Sequence, residues 1–255
     1  MEKRKRRYTK KEDDLLLPHI RAIIDARSSY GYRRMTALLN HRLQTEGISR
    51  VNHKRVYRIM KQHRLLLPAY GKRPTRTHDG KIITLRRNTR WCSDCFTIQC
   101  ANGDRVYVAF AMDTCDREIL GCIASTKGID GAAIRDLLLE SVEHRFGKIA
   151  CLPHSIQWLS DNGPCYVARD TIVFARALGF DVRTTPPYSP ESNGMAEAFV
   201  KTFKRDYVAF SDPLNAQAVM HQLPRWFEDY NEIAPHKGLN MMAPRQFIRS
   251  LAVAG

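Results

Sequence analysis

The chain has 255 residues, of which 44% are apolar and 26% are charged, as is typical of a globular protein with room for a sizeable core. The basic start lacks the apolar run of a secretory signal, and no segment approaches the length of a membrane span. The cysteines are scattered and odd in number, at seven, which favours a reducing compartment over a disulfide framework.

The net charge of +15 is unevenly distributed along the chain. Residues 1–90 carry 25 Lys and Arg against 7 Asp and Glu, whereas residues 91–255 carry 16 against 19. A basic segment of this kind is typical of a protein that binds a polyanion, most simply nucleic acid. A solubilising surface is the alternative, although such surfaces usually mix charges of both signs.

Residues 1–66 predict a small helical domain that binds DNA. After a basic arm, apolar residues recur at helical spacing in three segments, with Gly47 ending the second helix and Asn52 capping the third. A short turn before a helix rich in Lys and Arg resembles a helix-turn-helix. A helical bundle with a solvated basic face is the alternative. The third helix offers four candidate DNA contacts: Lys54, Arg55, Arg58 and Lys61. We expect Lys54, Arg58 and Lys61 to share one outward face.

Residues 67–88 are rich in Pro, Gly and basic residues and predict a linker, whereas residues 89–255 change character. They predict three strands within 90–126, the first two joined by a turn at 102–104, and then a helix, a strand, a helix over 165–179, a strand and a helix. This order predicts a mixed α/β architecture around one sheet, with a helical extension at its end.

Three carboxylates lie at positions where folding alone does not readily explain a charged side chain. Asp94 lies inside the first strand, Asp161 ends the fourth strand, and Glu197 lies in the first turns of the following helix. If both strands are central, the three can meet, and such a cluster requires cations. Hard oxygen ligands favour Mg²⁺ or Mn²⁺, and two such ions suit attack on a phosphodiester.

Each carboxylate also has a purely structural interpretation. Asp161 can cap the Asn162–Gly163 turn, Glu197 can pair with Lys201, and Asp94 can be a stray residue on an edge strand. On the helix, Glu197 shares a face with Lys201 and Lys204, so we expect these lysines to bind DNA phosphates. Asn162 is a further candidate contact to DNA or to the attacking water.

These residues resemble a known family. The order of Asp94 in "WCSD", Asp161 in "LSDNGPCY" and Glu197 in "PYSPESNGMAEAFVKTFKRD", with 35 residues between the last two, resembles the DDE motif of insertion-sequence transposases whose core is related to retroviral integrase. Lys204 matches a basic residue of that family. The ending "WFEDYNEIAPHKGLNMMAPRQF" and the front segment "YGYRRM" also resemble the second-open-reading-frame (OrfB) subunit. In that ending we expect His236 to be a structural turn residue.

The resemblance implies an RNase H-like (retroviral integrase) core preceded by a helix-turn-helix domain. It implies Mg²⁺- or Mn²⁺-dependent cleavage and strand transfer, with two ions held by Asp94, Asp161 and Glu197. The implied partners are double-stranded DNA at terminal inverted repeats and targets, further copies of the chain in a synaptic complex, and a protein from an upstream reading frame (OrfA). The implied location is the bacterial cytoplasm, at the nucleoid.

Two other functions remain open from the sequence. A structure-specific nuclease on the same fold would cleave without joining. A catalytically partial or regulatory DNA-binding subunit would bind without cleaving unless its upstream-frame partner were present. The complete set of Asp94, Asp161 and Glu197 favours an active enzyme, because a decayed site is free to lose any of them.

Overall fold

A computed structural model describes residues 13–68, 84–185 and 193–253. These residues divide into two units, one formed by residues 1–77 with 235–242 and the other by residues 78–234 with 243–255. The basic arm, most of the expected linker and the loop that contains Glu191 lie outside the described residues. Within the described ranges, none of the helices is both long and apolar enough to cross a lipid bilayer.

The first unit contains three helices, as the apolar spacing predicts: α1 (Asp13–Ala26), α2 (Tyr32–Thr45) and α3 (His53–Gln62). Asn52 caps α3, because its side chain accepts a hydrogen bond of 2.9 Å from the Lys54 backbone N–H. Gly47 follows α2 in the left-handed region, at a φ of 72°. The inward stripes of the three helices form one apolar core: Leu16, Ile20, Ile23, Tyr30, Met35, Leu39, Leu43, Val56, Ile59 and Met60.

A short C-terminal segment, residues 235–242, completes this unit. The Pro235 carbonyl accepts a hydrogen bond of 3.2 Å from Arg34 Nε in α2. His236 pairs with Met242 through a backbone bridge, and its carbonyl accepts from the Leu239 backbone N–H at 3.0 Å. His236 therefore shapes a turn, as its place in the sequence predicts.

The second unit is built on a five-stranded mixed sheet. The strands are β1 (Arg90–Gln99), β2 (Arg105–Asp113), β3 (Ile119–Ser125), β4 (Ile156–Ser160) and β5 (Phe180–Thr184), and their order in the sheet is β3-β2-β1-β4-β5. The first three strands form an antiparallel meander, whereas β4 and β5 run parallel to β1. The strand that carries Asp94 is therefore central, and its alternative interpretation as an edge strand is wrong.

Helices cover both faces of this sheet. One face packs on α4 (Gly131–Phe146), α5 (Pro164–Val167) and α6 (Arg169–Ala177). The other packs on α7 (Gly194–Asp206) and α8 (Ala216–Glu232), and α9 (Pro244–Val253) contacts α8. Alternate residues of β1 feed the two cores, with Trp91 on the α4 face and Cys92, Phe96 and Ile98 on the α7 face. The α/β layers predicted from the element order are thus confirmed.

One predicted helix is wrong in its extent. The segment 165–179 is two helices, because Ala168 adopts an extended conformation with a ψ of 134° between α5 and α6. The break lets the two pieces take separate positions: Tyr166 in α5 is buried against β1, and α6 packs on α4 and β5. Gly179, at a φ of 101°, ends α6 as expected.

Candidate active site

The strand register brings two of the three predicted carboxylates side by side. In the parallel pair of β1 and β4, Arg90 lies opposite Gln157 and Cys92 lies opposite Leu159, an offset of 67 residues. Continued by two residues, the same offset places Asp161 beside Asp94. The sequence separation of the two aspartates therefore has a physical meaning, since it equals the register of two neighbouring central strands.

Asp94 is half-buried, and its environment disfavours its charge. By the alternation of β1, its side chain lies on the same face as Cys92 and Phe96, which is the face covered by α7. Burial raises the pKa of Asp94 from an ordinary 3.8 to about 6; the charges of Asp161 and Glu197 also raise it, while a hydrogen bond from the Cys95 backbone N–H lowers it. Both other candidate carboxylates are thus close enough to Asp94 to repel its charge.

Asp161 has a local structural role as well. Its Oδ1 accepts a hydrogen bond of 2.9 Å from the Gly163 backbone N–H, so it caps the turn that follows β4. A Cβ atom on Gly163 would lie 3.0 Å from that same oxygen, which explains the glycine. The capping interpretation is therefore correct, but it does not exclude a role in the site, because the capped side chain remains exposed and near Asp94.

Glu197 is held near the aspartates by the start of α7. Asn193, just before this helix, is buried and donates from Nδ2 to the Ser93 carbonyl at 3.1 Å. Ser93 directly precedes Asp94, so this bond ties the first turn of α7 to the strand position beside the site. The opposite side of α7 is anchored in the core by Ala196, Phe199 and Phe203. Glu197 itself is exposed.

The donor set suits a hard divalent cation. The charges of Asp161 and Glu197 act on Asp94, and such repulsion between carboxylates is what a bound cation relieves. As the side chains stand, no group of three His, Cys, Asp or Glu within residues 13–68, 84–185 and 193–253 is arranged so that it could hold a metal ion. Asp161 and Glu197 are both exposed, and Asp161 Oδ1 accepts the hydrogen bond from the Gly163 backbone N–H.

The lysines of α7 are exposed and lie on the predicted side of the helix. In the described part of the chain, no ion pair joins Glu197 to Lys201, so the surface-bridge alternative for Glu197 has no support. The Lys204 ammonium lies 5.7 Å from the centroid of the Phe96 ring, a cation–π contact that holds it beside β1. Asn162 instead has a structural bond, since its Nδ2 donates to the Thr185 carbonyl at 2.9 Å.

In the first unit, the four predicted DNA contacts on α3 differ in their surroundings: two are exposed lysines and two are arginines in ion pairs. Lys54 and Lys61 are exposed. Arg55 binds Asp13 at 2.7 Å and Arg58 also binds Asp13, which is buried at the start of α1. The expectation that Arg58 lies on an outward face with the two lysines is wrong, because this ion pair draws its side chain toward α1.

Several structural residues were missed from the sequence. Tyr166, fully buried, hydrogen-bonds Ser93 Oγ at 2.9 Å and so links α5 to β1 behind the site. Asn231 uses both ends of its amide on the backbone of Ile119, at 2.9 Å each, and so ties α8 to β3. Only Asn231 had a signal in the sequence, since it lies in the ending shared with the family. Asp113, at the end of β2, accepts from the Cys115 backbone N–H at 2.7 Å and so shapes the turn between β2 and β3.

Comparison with family models assigns both units to known domains. Residues 11–73 match an HTH-like domain, and residues 85–190 and 178–244 match models of the integrase core domain. One chain of a cryo-EM structure of the simian T-cell lymphotropic virus intasome, in complex with PP2A regulatory subunit B56 gamma, shares the fold. It matches with a TM-score of 0.53 and 19% identity over 83% of this chain and 73% of that chain. The integrase core domain matches thus define a catalytic core of the transposase and integrase type, which belongs to the polynucleotidyl transferases.

Curated relatives specify the family further. Transposase InsD of insertion element IS2A/D/F/H/I/K from Escherichia coli is 43% identical over all of this chain and 84% of its own length. Transposase InsD of insertion element IS2-9 from Escherichia coli strain K12 is also 43% identical, with 83% of its length covered. The chain therefore belongs to the insertion-sequence transposases of the IS2 family, which have an integrase catalytic core.

Proposed function

We propose that this chain cleaves DNA at the ends of an insertion element and joins the freed 3′ ends to a target, with Asp94, Asp161 and Glu197 as its catalytic, metal-binding residues. The observation that supports this most directly is electrostatic. Asp94, half-buried in a central strand, has its pKa raised to about 6 by burial and by two further carboxylates, Asp161 and Glu197. A fold retains such repulsion where a cation is to be bound.

Mg²⁺ or Mn²⁺, as two ions, would be held by the three carboxylates; when bound, such ions activate an attacking oxygen and stabilise the leaving oxygen of a phosphodiester. The chain's own residues supply position. Asp94 lies in β1 and Asp161 directly follows β4, the parallel neighbour of β1, while the Asn193 bond to Ser93 joins the start of α7, which carries Glu197, to β1. Lys201 and Lys204 lie on α7 next to Glu197 and would hold the phosphate backbone across the site.

We further propose a division of work along the chain. Residues 1–66 bind double-stranded DNA at the terminal inverted repeats through Lys54 and Lys61, residues 67–88 act as a linker, and residues 89–255 carry catalysis. Arg55 and Arg58 would contribute mainly to the stability of residues 1–66, through their ion pairs with Asp13. We propose assembly with further copies in a synaptic complex, with an upstream-frame partner, in the bacterial cytoplasm.

The test is cleavage and joining of labelled DNA that carries the element's own terminal repeat, in Mg²⁺, by full-length protein. Asp94→Asn, Asp161→Asn and Glu197→Gln should each abolish nicking at the repeat boundary and joining, while DNA binding persists. Glu191→Gln is the matched control, since it removes a carboxylate six residues before Glu197 and should cleave as wild type does. Cleavage by any of the three triad variants at the wild-type rate would refute the assignment.

The regulatory alternative has its own outcome in this assay. Wild-type protein that binds the repeat but does not cleave it, unless the upstream-frame protein is added, would identify a partial subunit. Cleavage without joined products would instead identify a nuclease.

A further inference from the structure

A run of hydrogen bonds joins the three segments that carry the proposed catalytic carboxylates. It centres on Ser93, which directly precedes Asp94 in β1 and is fully buried. The Ser93 carbonyl accepts from Asn193 Nδ2 at 3.1 Å, and Asn193 lies four residues before Glu197, at the start of α7. By the alternation of β1, the Ser93 side chain lies on the same face as Trp91, toward α4 and α5. One residue is therefore in a position to bond both helical layers.

The bond on the α5 side has a defined direction. Ser93 Oγ lies 2.7 Å from the Phe110 carbonyl, which can only accept, so the single hydrogen of the serine hydroxyl is directed there. The contact of 2.9 Å between Ser93 Oγ and Tyr166 Oη therefore has the tyrosine as its donor. The Cys95 thiol, at 3.4 Å, is left as a donor to the same tyrosine hydroxyl. Because Ser93 and Tyr166 are both buried, water does not replace these bonds when one is lost.

The backbone of the same tyrosine is bonded to the turn that contains Asp161. The Tyr166 N–H donates to the Gly163 carbonyl at 2.9 Å, and the Gly163 N–H donates to Asp161 Oδ1 at 2.9 Å. A Cβ atom added to Gly163 would contact the Tyr166 ring at 3.5 Å, so the ring lies against this turn. The path of bonds thus runs from Asp161 through Tyr166 to Ser93.

We propose that Tyr166, acting through Ser93, is a positioning residue that holds the three carboxylates in the relative arrangement that cleavage requires. This inference deepens the proposed function and rests on it. A catalytic site is held within about 0.5 Å only by supporting side chains that are themselves fixed by packing and hydrogen bonds. Tyr166 meets this condition, because its ring packs edge-on against Trp158 with the centroids 5.7 Å apart, while its hydroxyl bonds β1 and its N–H bonds the Asp161 turn.

The first test is Tyr166→Phe in the full-length chain, which removes the hydroxyl and keeps the ring that packs on Trp158. At saturating repeat-end DNA and Mg²⁺, we expect the rate of nicking to fall by about ten-fold or more, while affinity for the duplex stays as in wild type. A second readout uses no DNA. The Mg²⁺ concentration that gives half of the maximal thermal stabilisation of the protein should rise several-fold.

Tyr207→Phe is the matched control. The Tyr207 hydroxyl belongs to a buried residue and donates to Asp229 at 2.8 Å, at the opposite end of α7 from Glu197. This variant should lower the urea midpoint about as much as Tyr166→Phe does, and leave both cleavage and the Mg²⁺ midpoint unchanged. Equal losses of cleavage in the two variants would show an effect of stability alone and would overturn the positioning role.

A double-mutant cycle tests the route through Ser93. If the two residues act through their shared bond, Ser93→Ala should slow cleavage as well, and Tyr166→Phe should add little in the Ser93→Ala background. Losses that multiply independently would overturn that route. Wild-type protein that shows no Mg²⁺-dependent cleavage would refute the proposed function itself. Cleavage at the wild-type rate by Tyr166→Phe would refute only the positioning role.

Discussion

Asp94, a residue that we propose to be catalytic, is unfavourable for folding when it is charged. An Asp in a central strand loses solvation, and here two further carboxylates add repulsion, which together outweigh the hydrogen bond from Cys95. A raised carboxyl pKa means that the folded state favours the protonated form. Stability from this group is therefore full at low pH and is lost as pH rises through about 6.

We expect Asp94→Asn to be more stable than wild type at pH 8 in the presence of a chelator, and equal to it below about pH 3, where the unfolded-state carboxyl is protonated as well. The change of pKa from 3.8 to about 6 corresponds to at most about 3 kcal/mol, which solvent screening reduces to about 1 kcal/mol for this partly exposed side chain. Urea unfolding at both pH values measures it. Asp136→Asn, an exposed aspartate on α4, should show no such gain.

Magnesium provides the complementary check on the same variant pair. Since a bound cation removes the repulsion, millimolar Mg²⁺ should stabilise wild type at pH 8 and narrow its difference from Asp94→Asn. An unchanged difference would mean that the cation does not bind at Asp94.

At the level of the element, α3 separates residues that hold the fold from residues that face solvent. Arg55 and Arg58 fix α3 to the start of α1 through Asp13, whose side chain is only 8% exposed. The basic residues of one helix therefore have different tasks, and helical periodicity alone does not distinguish them.

We expect Asp13→Asn to destabilise the first unit by about 2 kcal/mol. Breaking a buried ion pair costs about 3–5 kcal/mol, and the value is lowered here because both guanidinium groups are partly exposed. Thermal or urea unfolding of the full chain measures it. The neighbouring exposed Asp14→Asn is the control and should change stability by less than about 0.5 kcal/mol. Equal effects of the two substitutions would show that the ion pair contributes nothing.

Substitution of the exposed lysines should give the opposite pattern. Lys54→Ala or Lys61→Ala should leave the free energy of unfolding within about 0.5 kcal/mol of wild type. Each should also reduce the magnitude of the slope of log K for DNA binding against log salt concentration by about 1, because it removes one proposed phosphate contact. Fluorescence anisotropy with a repeat-end duplex at several salt concentrations measures this. Lys148→Ala, an exposed lysine beyond α4, should leave the slope unchanged.

At the scale of the whole molecule, a buried ion network ties the far side of the second unit together. Arg145 in α4, with a side chain 5% exposed, binds Asp116 at 3.0 Å and Glu118 at 3.4 Å. Arg245 in α9 binds Glu118 at 2.8 Å. Burial opposes the charge of Glu118, but hydrogen bonds from His144 and Arg245 and the charge of Arg145 prevail and lower its pKa to about 2.

We expect Arg145→Ala to cost about 3–5 kcal/mol, because it leaves buried carboxylates without their central cation. Urea unfolding of wild type and Arg145→Ala at pH 7 measures this loss of stability. Arg135→Ala, on the same helix, should have little effect, since no ion pair of Arg135 is found in the described ranges. A similar cost for both variants would indicate a general loss of helix stability.

The sequence by itself predicted the order of most elements and singled out the three candidate carboxylates. Apolar periodicity marks the helices and strands, and the spacing of Asp94, Asp161 and Glu197 is visible without a structure because such a motif is linear. Predictions that depend on local chemistry also succeeded, such as the Asn52 cap and the glycine that ends α6.

Only the tertiary structure decided what depends on contacts between distant segments. The sheet order made Asp94 central, Asp13 bound Arg55 and Arg58 in ion pairs within the first unit, and Asn193 joined α7 to β1. Cys92 and Cys95, three residues apart, pack toward opposite cores because side chains alternate along a strand. Ion pairs and buried hydrogen bonds leave no periodic pattern, because their partners are far apart in sequence and meet only when the layers pack.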